Sequence, residues 1–274
     1  MQYGFVIPGG DARDVANLAR SAEQAGWDGI FVAETVWGVD AWVSLTAAAM
    51  VTERIRLGTL LSPVSRMRPW KLASETATLD RLCNGRVTLS VGLGALDTGF
   101  AEFGEATDRK TRAALLDEGL DILTGLWQGQ PFSYNGTHYQ ITPTTFFPPP
   151  PPVQQPRIPI WVSAAWPKPK SLERALRYDG LLPVVMGDDG ARKPTIDEVR
   201  EMRGYVDQAR GAATPFDIVV EGETPGADRD AGRDIVSPWE AAGATWWIEA
   251  LWDAAFDDEK ADDVRLRVEQ GPPK

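Results

Sequence analysis

Short apolar runs alternate along this chain with longer stretches in which apolar residues return every three or four positions. The runs are Tyr3–Ile7, Gly29–Ala33, Leu57–Leu61, Val87–Val91, Ile158–Val162, Leu181–Val185, Phe216–Val220 and Thr245–Ile248. Their length and their β-branched and aromatic content predict strands. Between them, Val15, Leu18, Ala19, Ala22 and Ala25 share one helical face, as do Trp42, Leu45, Ala49 and Met50. Leu72, Ala73, Thr76, Leu79, Leu82 and Cys83 form a third such stripe, and Leu116, Leu120, Leu123 and Trp127 a fourth. The period of 3.6 in these stretches predicts helices with one buried side.

Local signals place the ends. Asp11 or Asp14 can cap the first helix, and Gly26 ends it. Asp40 opens the second, Pro69 suits the first turn of the third, and Asn84-Gly85 stops it. A long helix spans about Asp108 to Trp127, and another about Pro169 to Tyr178. Thr195-Ile196-Asp197-Glu198 is a capping box for a helix reaching Arg210. Asp228–Ala242 reads as helix, with Pro238 expected to distort or split it, and a last helix runs from about Glu259 to Val268. Phe132–Tyr139 alternates around Asn135-Gly136, a hairpin signal, and Phe147 leads into Pro148–Pro152, a stiff connector. Together these make an insertion over about 129–157.

Eight strands that alternate with helices imply a parallel sheet, and eight units in one compact chain favour closure into an α/β (β/α)8 TIM barrel. With no internal repeat and no flexible linker, residues 1–274 form one domain in this reading.

Composition narrows the chemistry. The net charge of −11 disfavours a nucleic-acid partner, and no apolar run approaches the ~18 residues of a membrane span. The single cysteine, Cys83, sits on a core stripe and suggests a reduced, cytoplasmic setting. With one His and one Cys, a metal site is not expected.

The run Leu57–Gly94 carries a more specific signal. Thr78-Leu79-Asp80-Arg81-Leu82, Gly85-Arg86-Val87 and Val91-Gly92-Leu93-Gly94 resemble the signature of the bacterial-luciferase-like flavin and F420 oxidoreductases. That resemblance covers nearly the whole chain. It implies FMN or coenzyme F420 as cofactor, a small-molecule substrate, a flavin or F420 reductase as the source of reduced cofactor, and a homodimer.

Barrel enzymes work at the C-terminal ends of their strands. Here those ends are mostly apolar and small, which suits a mouth that holds a large cofactor. Gly92, Leu93 and Gly94 match the loop beside the redox ring in the family. Ser163, Ala164, Ala165 and Trp166 match its phosphate-side loop, with Lys168 and Lys170 as added charge. Leu60, Leu61 and Ser62 match the place where relatives carry a non-proline cis peptide. F420-using relatives often have a His just after the second strand; Glu34 stands there instead and is the catalytic candidate. Trp37, Glu221, Trp247 and Glu249 are candidates for the substrate side, and of Trp246 and Trp247 at most one enters the barrel. The implied activity is monooxygenation or hydride transfer on an apolar or aromatic molecule. Two alternatives stand beside it: a glycoside hydrolase using Glu221 and Glu249, and a barrel that binds the cofactor without turnover.

Overall fold

A computed structural model describes residues 1–145, 147, 149–187, 190–256 and 260–274. Pro148, first of the five prolines, and Glu259, the expected start of the last helix, lie outside them. The elements in order are β1 (Gln2–Ile7), α1 (Ala12–Ala25), β2 (Gly29–Val32), α2 (Ala41–Ala49), β3 (Arg56–Thr59), β4 (Ser62–Pro63) and α3 (Pro69–Leu82). Then come β5 (Val87–Gly92), α4 (Arg109–Gln128), β6 (Phe132–Asn135), β7 (Gln140–Thr144), β8 (Ile160–Trp166), α5 (Pro169–Leu176) and β9 (Gly180–Gly187). β10 (Gly190–Arg192), α6 (Ile196–Arg210), β11 (Asp217–Gly222), α7 (Arg229–Ala241), β12 (Trp246–Glu249) and α8 (Ala261–Gln270) complete the chain.

Eight strands pair in parallel around a closed ring, in the order β1, β2, β3, β5, β8, β9, β11, β12 and back to β1. The fold is therefore a (β/α)8 barrel. The main core lies between the barrel and its helices, and a smaller cluster fills the barrel itself. Phe31, Trp161 and Trp246 meet inside it with ring centroids 5.1–6.0 Å apart. Their size is matched by glycines. A Cβ at Gly58 would come within 2.9 Å of Phe31, and one at Gly180 within 2.4 Å of Trp161. This aromatic layer closes the barrel at its lower end, so any ligand must sit above it.

The motif that carries the family resemblance has structural work here. Asp80, fully buried, accepts from the backbone N–H of Val153 (2.8 Å) and Gln154 (3.1 Å) and from Gln154 Nε2 (2.7 Å). It thereby ties the proline-rich connector to the end of α3 before β8 begins. Arg86, also buried, donates to the carbonyls of Ala49, Thr52, Ile55 and Cys83 and to Thr52 Oγ1. Its guanidinium satisfies the loop between α2 and β3, with no counter-ion among the described residues.

Several boundaries differ from the sequence reading. The hairpin turn is 136–139, not Asn135-Gly136, because Asn135 pairs with Gln140 in the ladder. Glu118 on α4 captures the amides of Thr137, His138 and Tyr139 and pins that turn down. Pro238 neither ends nor splits α7. It lies in the last turns, where Ala242 N still reaches Pro238 O at 3.0 Å. Ser163–Ala165 belong to β8 instead of following it. Among the described residues no helix is long and apolar enough to cross a membrane.

Candidate active site

A cavity of about 1630 Å³ opens over the strand ends, and it is lopsided. Its floor and walls come from the ends of β2, β3, β5, β8 and β9, with Ala33, Leu60, Leu61, Leu93, Ser163 and Ala165 among the lining groups. The opposite half of the barrel is packed with Val6, Val219, Ile248 and Ala250, against which Trp252 rests.

The chain turns sharply at β3. β3 stops at Thr59, the Leu60–Leu61 peptide is cis, and Ser62-Pro63 re-pairs with β5 as β4. This excursion puts Leu60 and Leu61 into the cavity wall. Gly92 lets Leu61 approach, since a Cβ there would fall 2.9 Å from Leu61 Cδ2 and 3.0 Å from Ser163 Cβ. Gly94 has φ +76°, and a Cβ on it would strike Pro63 and Phe100. Arg112 fastens the loop that follows, donating to Leu93 O at 2.9 Å and Gly94 O at 3.1 Å beside the Phe100 ring.

Glu34 sits just past β2 and lines the cavity. Burial pushes its carboxyl up to about 7, against the opposing pull of the Ser62 hydrogen bond and of Arg66. Ser62 Oγ donates to Glu34 Oε2, and Arg66 Nη2 donates to the carbonyls of Glu34 (3.1 Å) and Thr35 (2.7 Å). The carboxyl is thus held in place and can carry or release a proton near neutral pH.

Away from Glu34 the cavity becomes a basic groove between the first turns of α4 and α5. Arg109, Lys110, Lys168 and Lys170 line it. Among the described residues these four form no ion pair. Arg174 and Arg177 line it too, and both are engaged by Asp117, at 2.6 Å and 3.1 Å. α5 begins at Pro169 with no side-chain cap; Pro169 has no N–H, and the amides of Ser171 and Leu172 already donate to Lys168 O, which leaves the Lys170 amide at the groove. In a chain of net charge −11, this concentration of positive charge marks a place for an anion.

The structure brings together Glu34, Leu60, Leu61, Leu93, Gly94, Ser163 and Ala165, with Gly92 and Ser62 immediately behind them. It does not bring the others. Ala164 and Trp166 alternate outward from β8, and Trp166 meets Tyr205 of α6 edge to face. Trp247 and Glu249 alternate outward from β12. Trp247 packs on Trp239. Glu249 is fully buried against Arg267 of α8 and Thr224. Trp246 is the member of its pair that enters the barrel. Trp37 is 83% exposed and outside the cavity wall. Glu221 reaches the rim on the packed half, where Trp252 Nε1 donates to it at 2.8 Å. Because Glu249 faces the helices, Glu221 and Glu249 share no cleft. The basic groove of α4 and its Arg174 and Arg177 wall went unread in the sequence; the cluster Arg109-Lys110-Arg112 in an acidic chain was the available signal.

Comparison with known proteins agrees with this architecture. The family model described as luciferase-like monooxygenase matches residues 2–239. The uncharacterized protein Rv0953c of Mycobacterium tuberculosis is 31% identical over 232 residues, covering 85% of this chain and 74% of its own. An F420-dependent glucose-6-phosphate dehydrogenase of Beutenbergia cavernae is 35% identical over 165 residues, 57% of this chain and 48% of that one. Among solved structures, the coenzyme F420-dependent tetrahydromethanopterin reductase of Methanopyrus kandleri superposes with a TM-score of 0.75 at 17% identity, covering 98% of both chains. The FMN-bound oxygenating constituent of 3,6-diketocamphane monooxygenase from Pseudomonas putida gives 0.73 at 15% identity, covering 100% and 98%. The match over residues 2–239, most of the length, means that the chain belongs to the luciferase-like monooxygenase family.

Proposed function

We propose that this protein is an oxidoreductase that binds coenzyme F420 and moves hydride between it and a small organic molecule, with Glu34 handling the accompanying proton. The observation that carries the reading is the continuity of one cavity, from the Glu34 carboxyl to the basic groove.

The donor set fits the cofactor. F420 joins a planar ring to a phosphate and several carboxylates. Leu60, Leu61 and Leu93 offer apolar walls for the ring, and Arg109, Lys110, Lys168 and Lys170 offer charge for the tail. FMN, with a single phosphate, is the second reading; the Lys170 amide and the side chains of Lys168 and Lys170 would serve it, leaving Arg109 and Lys110 without a role. When bound, the deazaflavin supplies a carbon that gives or takes hydride. The chain contributes the rest. Its apolar walls exclude water, and Glu34, pushed up to about 7, holds a proton or accepts one at Oε1 or Oε2. Val184 and Met186, on the β9 side, leave room for a substrate with apolar surface.

Titration of the purified protein with F420 and, separately, FMN tests the cofactor. Turnover of F420 fluorescence with candidate alcohols or aldehydes then tests hydride transfer. Binding of FMN but not F420 would overturn the choice between them.

A further inference from the structure

Behind Glu34 lies a row of buried oxygens. Ser62 Oγ is in hydrogen-bond reach of Glu34 Oε2 on one side and of Thr59 Oγ1, at 2.9 Å, on the other. Thr59 Oγ1 in turn lies 3.3 Å from Ser90 O. Ser62 and Thr59 are fully buried, one on each side of the Leu60–Leu61 pair. Among the described residues nothing else hydrogen-bonds either hydroxyl.

Each hydroxyl owns one hydrogen, so Ser62 cannot donate to Glu34 and to Thr59 at once. Two complete arrangements exist. With Glu34 ionised, Thr59 donates to Ser62 and Ser62 donates to the carboxylate. With Glu34 protonated, the carboxyl donates to Ser62, Ser62 to Thr59, and Thr59 to Ser90 O. Switching between them needs only rotation of two O–H bonds. A buried hydroxyl stranded without an acceptor would cost free energy in one state and bias the acid toward the other.

We propose that Thr59 and Ser62 form a reversible hydrogen-bond chain that keeps Glu34 fully partnered in both protonation states, making Thr59 a positioning residue for a proton it never touches. The inference rests on the reading of Glu34 as the proton-bearing group. Other charges near Glu34 are Arg66, which favours the ionised form, and Asp40 at the start of α2 and Glu75 on α3, which favour the neutral one. None of them hydrogen-bonds the carboxyl, so they set the midpoint without entering the chain.

The two hydroxyls make opposite predictions. Ser62→Ala removes the donor to the ionised carboxylate and should raise the titration midpoint of Glu34. Thr59→Val, nearly isosteric, leaves Ser62 without an acceptor only when Glu34 is protonated and should lower it. Each shift is expected to be about one pH unit, and Thr59→Ser should restore the wild-type midpoint. The readout is the carboxyl ¹³C shift of Glu34 in protein labelled at glutamate, assigned with Glu34→Gln and followed against pH without cofactor. Shifts in the same direction, or no movement with Thr59→Val, would overturn the chain. Should Thr59→Val fail to fold, Thr59→Ala reads the same change. Because the titration needs no cofactor, failure to bind F420 would leave this result standing, and failure here would leave the cofactor reading standing.

Discussion

The Arg267 guanidinium and the Glu249 carboxylate lie 3.2 Å apart, both buried in the layer between β12 and α8. Thr224 and Trp247 donate to the same carboxylate, and Arg267 also holds Thr224 O and Gly271 O. The pair locks the end of the chain to the β11–α7 loop. Removing one partner strands a charge. Arg267→Met should therefore destabilise the fold by about 3–5 kcal/mol, and adding Glu249→Leu should recover much of the loss. Urea unfolding of the single and double variants checks this.

Asp80 serves three donors from the proline-rich connector. Asp80→Ala would leave buried N–H groups unpaired and should cost about 3 kcal/mol. Its hydrogen-exchange signature should be loss of protection at Val153 and Gln154, with the amides of β12 little changed.

Glu34 gives stability a pH dependence of definite sign. Its folded value, about 7, lies above the ordinary 4.5 of an unfolded carboxyl. Between those values the folded state binds the extra proton. The stabilisation is therefore full below about pH 4.5 and is lost as pH rises through about 7. Glu34→Gln should flatten the stability profile across that window and be the more stable form above it. A thermal-melt series against pH checks the slope.

On the F420 reading, the two halves of the basic groove should respond differently to the two cofactors. Replacing Arg109 and Lys110 together by Ala should weaken F420 binding about tenfold, more at low salt than at high, while FMN binding changes little. Replacing Lys168 and Lys170 should weaken both. Fluorescence titrations at two ionic strengths read the difference.

The alternation of strands and helices was legible because strands buried on both faces read as continuous apolar runs, which set them apart from the 3.6-period stripes. Glu34 was singled out through the family position of a His after the second strand, and it does line the cavity, whereas Glu249, another acid at a strand end, turned outward. What period-two alternation gives is relative side only. It says that Trp246 and Trp247 part company, and not which one enters the barrel. Glu249 and Trp166 went outward for the same reason, drawn by Arg267 and Tyr205, partners distant in sequence. Lys168 and Lys170 were reached through the family's phosphate-side loop, but the α4 half of the groove was missed, because a basic cluster at a helix start does not by itself say whether it faces solvent or a cavity shared with another helix. The cis Leu60–Leu61 bond was reached through family resemblance, not through any property of the two leucines.

The most direct measurement is a fluorescence titration of the wild-type protein with F420, run beside one with FMN. The account predicts saturable binding of F420, one per chain, tighter than that of FMN and weakened by added salt. A protein that leaves the fluorescence of both unchanged, at concentrations where the fold is intact, would contradict it.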